Sequence, residues 1–224
     1  MNQGRAVIAA APLAVPILER FAAVEVQDST TITLPAALAD VFFGCDEGKA
    51  SLKVHLRLNL RSGSLRGPTI SDGCCHDSTV SLPVSLPADS LHLTDLGYFG
   101  LARFERLSEQ QQCWLSRYKT GTLVWDADGV CWDLPDLLAT QDGTVVDLPV
   151  RLGHTGTLAC RLLAVRAPQE VVDQRRRRLY AEARRRGATP STASLALAAW
   201  TVLITNVPVE RLSVEEALIV ARTR

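Results

Sequence analysis

Residues Ser51 to Leu60 alternate without a break. Leu52, Val54, Leu56, Leu58 and Leu60 fall on one face, and Lys53, His55, Arg57 and Asn59 fall on the other. A period of two belongs to a β-strand, whose successive side chains point to opposite faces. This is the clearest amphipathic strand in the chain, so the fold must contain a sheet built around it.

The surrounding residues extend that sheet. Val24, Val26, Ile32 and Leu34 alternate in a stretch rich in Val, Ile and Thr, which favours a strand. Pro35 ends it, and Ala36 to Phe43 is expected to form a short helix. After a turn over Arg61 to Gly67, a further strand runs through Thr69 and Ile70. Ser90 to Tyr98 reads as a strand that reaches Asp95 and Gly97. Phe99 to Gln112 reads as a helix with Leu101, Phe104 and Leu107 on one side. Cys113 to Tyr118 is again a strand. From Thr120 to Ala167 short strands alternate with turns at Asp128-Gly129, Asp142-Gly143 and Gly153 to Gly156. Gln169 to Arg186 is a helix stopped by Gly187. Ser191 or Thr192 caps a helix over Ala193 to Ala199. Trp200 to Val207 is a buried strand. Ser213 and Glu216 form a capping box for a last helix. Strands interleaved with helices predict an α/β fold with a mixed sheet, interrupted by a β-rich insertion. The expected segments are 1–20 (a short N-terminal remnant), 21–119 (first part of a core), 120–168 (the insertion) and 169–224 (a basic helix, a strand and the start of a final helix).

Composition narrows the classes. A chain of 224 residues can bury a full core. No apolar run reaches the roughly 18 residues needed to span a bilayer. The nearest, Val7 to Leu18, is broken by Pro12 and Pro16 and followed by Glu19 and Arg20. Arg5 with the Ala-rich run only weakly imitates a leader, so a cytoplasmic chain is expected. The net charge is zero, but residues 1–150 hold 11 Lys/Arg against 18 Asp/Glu, while residues 151–224 hold 13 against 6. An acidic front and a basic back suit a cation site beside an anion-binding surface. The six cysteines contain no Cys-x-x-Cys pair, and Cys74-Cys75-His76 is poor spacing for tetrahedral zinc. They are expected to be reduced and mostly buried. His55, His76, His92 and His154 have no nucleophile at recognisable spacing, which argues against a hydrolytic triad. Trp114, Trp125, Trp132 and Trp200 read as packing residues.

Asp28 and Asp95 each end a strand. If the strands are neighbours, the two carboxylates meet at one sheet edge and repel unless a cation neutralises them. The pattern alone favours turn or cap roles for both. The Arg-rich helix is likewise either a solvated face or a surface for phosphates, which Arg grips with a forked pair of donors.

Three segments tip these alternatives. Val26-Gln27-Asp28-Ser29-Thr30-Thr31-Ile32-Thr33-Leu34-Pro35 resembles the stretch around the first catalytic aspartate of bacterial DDE transposases of the insertion-sequence-4 family. Thr94-Asp95-Leu96-Gly97-Tyr98-Phe99 resembles the Asp-x-Gly-Tyr stretch around the second. Trp200 to Pro208, with Ile204-Thr205-Asn206-Val207-Pro208, resembles the stretch before the third, glutamate, motif. The resemblance covers nearly the whole chain and implies a ribonuclease H-like fold. It implies that Asp28 and Asp95 are catalytic and metal-binding, with two Mg²⁺ or Mn²⁺ ions in the intact family site. It implies double-stranded DNA at transposon ends as substrate, bound in part by Arg175, Arg176, Arg177, Arg178, Arg184, Arg185, Arg186 and Arg224. Tyr98 is expected where substrate would pass.

The pattern departs from the family at its end. The glutamate belongs to a Tyr-x-x-Arg-x-x-x-Glu motif. Counting from Asn206-Val207-Pro208 puts Ala221 on the tyrosine position and Arg224 on the arginine, so the glutamate would fall beyond the last residue. Glu215 and Glu216 come too early to replace it. The expectation is a truncated and inactive transposase core, located in the cytoplasm and at the nucleoid when on DNA. The second reading is a non-catalytic remnant that binds DNA or dimerises, with itself or with a full-length relative.

Overall fold

The structure, a computed structural model, describes residues 14–80 and 86–222. The start of the apolar run at Val7 and the motif position Arg224 lie outside the described residues. The contacts divide the chain into two compact units. One runs to Ser116 and takes up Glu215 onward; the other is Arg117–Val214. This division does not follow the four sequence segments. The reason lies in the ladders: the strand after the basic helix pairs with an insertion strand over six residues, which binds 169–214 to the insertion.

The first unit opens with the short helix α1 (Ala14–Leu18). Its sheet contains β1 (Val24–Leu34), β2 (Ala50–Asn59), β3 (Leu65–Asp72), β4 (Leu91–Thr94) and β5 (Cys113–Arg117). Their order is β3-β2-β1-β4-β5. The β1–β2 and β2–β3 pairs are antiparallel; β1–β4 and β4–β5 are parallel. Helix α2 (Leu101–Glu109) makes the crossover from β4 to β5. This is the ribonuclease H-like arrangement that the resemblance implied. Ala36 to Phe43 does not form the expected helix; only a 3-10 turn at Ala36–Leu38 appears, with no buried residue to anchor a longer one.

An amphipathic strand ordinarily buries its apolar face. In β2 the polar face is the deeper one: His55 and Arg57 are buried, while Leu52, Val54, Leu56 and Leu58 are only half-buried. Register explains the inversion. Arg57 lies opposite Gln27 and His55 opposite Ser29, so this face joins the polar side of β1. Glu25 and Gln27 of β1 and His92 and Thr94 of β4 are buried on the same side. Trp114 of β5 also lies here, in register with His92. Its ring stacks on Phe104 of α2 at 4.4 Å, so α2 covers a face that is apolar at one end and ionic at the other. The opposite face carries Val24, Leu91 and Leu93, all buried.

The second unit holds β6 (Val124–Trp125), β7 (Cys131–Trp132), β8 (Val145–Leu152), β9 (Leu158–Arg166) and β10 (Trp200–Thr205). They run in the order β10-β9-β8-β6-β7, with antiparallel pairs throughout β6 to β10. The insertion is β-rich as expected, but it also contains a short helix, α3 (Leu134–Ala139), whose Leu134, Leu137 and Leu138 are buried. Helix α4 (Gln169–Arg185) ends before Gly187, which takes φ +65. Helix α5 (Thr192–Leu197) is capped by Ser191, whose Oγ accepts from Ser194 N at 3.1 Å. Trp125 and Trp132 pack in the insertion, with Trp132 Nε1 donating to Asp126 Oδ2 at 2.7 Å.

The last helix, α6 (Val214–Arg222), belongs to the first unit apart from Val214. Ala217 and Val220 are buried, and Arg20 clamps Glu216 with bonds of 2.7 and 2.9 Å. Glu216 is thus committed to holding the helix. Among the described residues, no helix is long and apolar enough to cross a membrane.

The cysteines differ from expectation. Only Cys113 and Cys160 are buried; Cys45, Cys74 and Cys131 are exposed and Cys75 is half-buried. The exposed three lie on loops or the short hairpin strand β7, where little covers them. Burial pushes the Cys160 thiol up to about 12. A thiol reagent at pH 8 is expected to label Cys45, Cys74 and Cys131 first, and Cys160 only after unfolding. Peptide mapping that finds Cys160 labelled in the first phase would contradict this packing.

Candidate functional site

The parallel register of β1 and β4 brings the two aspartate-bearing segments together. Val24 pairs with Leu91, Glu25 with His92 and Val26 with Leu93, where the ladder ends. Carried two residues past that end, the same offset aligns position 28 with position 95. Both sit on the face opposite the buried ionic layer, because side chains alternate along each strand.

Each aspartate is fixed by its own backbone. Asp28 Oδ1 accepts from Ser29 N at 2.8 Å, and its side chain is exposed. Asp95 is half-buried and follows four fully buried residues of β4. It caps a 3-10 turn, Leu96–Tyr98, with Oδ1 accepting from Leu96 N at 2.5 Å. The turn explains why Gly97 is glycine. A Cβ there would stand 2.9 Å from Asp77 Oδ2. Asp77 is held in turn by Lys53 Nζ at 3.1 Å, which also donates to Cys75 O at 2.6 Å.

Tyr98 is not in a substrate path. It is 1 % exposed, and its hydroxyl is hydrogen-bonded to His55 Nδ1 at 3.0 Å. His55 Nε2 meets Ser71 Oγ at 2.8 Å. Burial pushes the Tyr98 phenol up, and hydrogen bonds from Ser29 and Gln27 pull against it. Burial likewise pushes the His55 imidazole down, with Asp77 opposing.

Beneath the aspartates lies a group of side chains that sequence reasoning did not single out. Arg57 Nη1 donates to Glu25 Oε1 at 3.1 Å, with 8 % and 3 % of the two side chains exposed. His92 Nδ1 stands 3.9 Å from the same oxygen, and its Nε2 meets Gln112 Oε1 at 2.8 Å. Arg103 Nη2 donates to Gln27 Oε1 at 2.8 Å, and its guanidinium lies over the Tyr98 ring at 5.8 Å. The signal was present: Glu25 and Gln27 alternate with Val24 and Val26, just as His55 and Arg57 alternate with leucines. Opposite charges on two polar strand faces mark a shared interior face rather than two solvated ones.

The arginines of α4 divide into two groups. Arg175 turns inward: Nη1 donates to Trp200 O at 2.8 Å and Ala198 O at 3.2 Å, and Nη2 to Thr201 Oγ1 at 2.8 Å. It is a structural residue that ties α4 to β10, and its donors are spent on that tie. Arg176 reaches Leu195 O at 3.3 Å, and Arg186 pairs with Glu182 at 2.5 Å. Arg177, Arg178, Arg184 and Arg185 are exposed, and among the described residues none has a carboxylate at ion-pair distance. At 100° per residue they fall on one flank of the helix, opposite buried Val172. The two pairs lie about 10 Å apart along the axis.

Among the described residues, no group of three or more His, Cys, Asp or Glu side chains is arranged to hold a metal ion. Asp28 and Asp95 remain as a two-carboxylate set. Their donor chemistry fits a hard divalent cation, and the exposure of Asp28 leaves room for water or phosphate oxygens.

Residues 23–224 match the family model described as a transposase DDE domain. The chain is 25% identical over 224 residues to the transposase for insertion sequence element IS231C of Bacillus thuringiensis subsp. berliner, covering 89% of this chain and 46% of that protein. It is 24% identical over 220 residues to the transposase for IS231E of Bacillus thuringiensis subsp. finitimus, covering 88% and 46%. The chain thus spans about half the length of the curated relatives it matches. With the family model matched from β1 onward, over residues 23–224, the chain belongs to the DDE transposase family.

Proposed function

We propose that this chain carries the two-aspartate part of a DNA transposase core, with Asp28 and Asp95 holding one Mg²⁺ or Mn²⁺ ion at a DNA phosphodiester. The observation that supports this is the parallel β1–β4 pairing, which makes the strand that carries Asp28 and the strand that leads into Asp95 neighbours. Bound divalent cations supply the activation of water or a 3′-hydroxyl and the stabilisation of the leaving oxygen. The protein's part is to hold the oxygens: Ser29 N fixes Asp28, and Leu96 N fixes Asp95. With two carboxylates and no third acidic partner among the described residues, the 224-residue chain alone is expected to bind the ion weakly and to leave DNA uncut. Titration with Mn²⁺ followed by electron paramagnetic resonance tests this. Saturable binding is expected, lost in both Asp28→Ala and Asp95→Ala. Binding that survives either substitution, or nicking of transposon-end DNA by the chain itself, would overturn it.

The DNA surface is the outward flank of α4. Phosphate contacts release counterions, so log K falls with log salt by about 0.9 per contact. Replacing Arg177, Arg178, Arg184 and Arg185 with Gln is expected to flatten that slope by up to about 3.6. Arg175→Gln is expected to destabilise the second unit without flattening it. An unchanged slope in the fourfold variant removes α4 from the interface. The partner on this reading is double-stranded DNA of transposon ends. A second copy, or a full-length transposase, is a further partner, and the place of action is the bacterial cytoplasm at the nucleoid.

A further inference from the structure

The ionic layer under the sheet does more than fill space. Arg103 lies on α2, which follows directly from the Asp95 turn, and it touches both aspartate-bearing segments from below. Its Nη2 donates to Gln27 Oε1 at 2.8 Å, one residue before Asp28. Its guanidinium covers the ring of Tyr98, which closes the turn that Asp95 opens through Tyr98 N donating to Asp95 O at 3.0 Å. No backbone ladder does this job: the β1–β4 pairing stops at Val26 and Leu93, before either aspartate. Beyond that point the spacing of the two carboxylates depends on side chains, and Arg103 spans the gap.

The chemistry of Arg103 suits the role. Its planar fork fixes direction as well as contact, which a lysine does less well. It is half-buried, and among the described residues no carboxylate stands at ion-pair distance from it. With Arg57 already paired to Glu25, Arg103 adds a second positive charge on this side of the sheet.

We infer that Arg103 is a positioning residue for the metal site: through Gln27 and Tyr98 it holds Asp28 and Asp95 at the separation one cation requires. This rests on the reading of Asp28 and Asp95 as metal ligands. Groups behind metal ligands commonly change affinity by about 10- to 100-fold when removed.

The test is Mn²⁺ affinity by electron paramagnetic resonance in the 224-residue chain, with near-UV circular dichroism confirming the fold of every variant. Arg103→Met is expected to weaken binding by about tenfold. Gln27→Met, which removes the acceptor and keeps the cation, is expected to do the same, and it decides the matter should Arg103→Met fail to fold. Arg103→Lys, which keeps the charge but not the fork, is expected to recover only part of the affinity while leaving the fold intact. If folded Arg103→Met and Gln27→Met bind Mn²⁺ like the parent while Asp28→Ala does not, the inference is overturned and the metal reading stands. If the parent itself shows no Asp28-dependent binding, both fall together.

Discussion

Replacing Glu25 with alanine is expected to cost about 3–5 kcal/mol of folding stability, the usual effect of stripping a partner from a buried ion pair. Glu25 is 3 % exposed and is the counter-charge to Arg57 at 3.1 Å. It also acts on Arg103. Burial, and then Arg57, pull the Arg103 guanidinium below its ordinary pKa, while Glu25 pulls it back. Without Glu25, the buried Arg57 guanidinium and that of Arg103 would repel without a shared counter-charge. Urea unfolding of Glu25→Ala against the parent measures the cost. The double replacement Glu25→Met with Arg57→Met is expected to recover much of it, because an apolar pair of similar volume often replaces a buried salt bridge at little net cost. A loss below about 1 kcal/mol in Glu25→Ala would mean that water reaches the pair.

Acid should destabilise the first unit before its carboxylates titrate. Burial pushes His92 down from 6.5 to about 4, with Arg103 and Arg57 adding to the effect and the Gln112 hydrogen bond opposing it. Between those two pH values the unfolded chain binds a proton that the folded chain refuses. The contribution of neutral His92 is thus fully present above pH 6.5 and is lost as pH falls toward 4. At 1.36 kcal/mol per pH unit that interval corresponds to about 3 kcal/mol. Unfolding free energies at pH 7 and pH 4.5 are expected to differ in that direction, and the difference is expected to shrink in His92→Gln. A parent whose stability is flat across this range would contradict the buried, neutral His92.

Period and punctuation carried much of the architecture. The alternation of Ser51 to Leu60 became β2 within a residue at each end, and Gly187 ends α4 as its position implied. Three of the failures share a cause: each needed a partner that lies far away in sequence. Which face of β2 is buried depends on Glu25 and Gln27, met only through the β1 register. Arg175 looks like its neighbours in a run of four arginines, but it faces β10 and is spent on backbone carbonyls. Tyr98, placed by motif in a substrate path, points instead toward His55. The helix α3 was hidden because three leucines and a proline among turn signals have no clear period.

The candidate site shows the same limit. The sequence reading puts Asp28 at a strand end, but β1 runs on to Leu34, and nothing in the positions 28 and 95 says that their strands are neighbours. Similarity to a known family supplied that, and the parallel pairing of β1 with β4 gives it a geometric reason. What similarity did not supply is the support beneath: Arg103, Gln27, Glu25, Arg57 and His92 form no motif and become legible only when the strands are set side by side.

The most direct test of the metal site is where a bound ion cuts. Fe²⁺ replacing Mg²⁺, with ascorbate and peroxide, generates radicals that cleave the backbone beside the ion. One ion shared by Asp28 and Asp95 predicts two clusters of cuts in the 224-residue chain, around Asp28 and around Asp95. Both clusters should be suppressed together by excess Mg²⁺ and abolished together by Asp28→Ala. Cuts confined to one segment, or cuts at Asp95 that persist in Asp28→Ala, would show that the two aspartates do not hold a common ion.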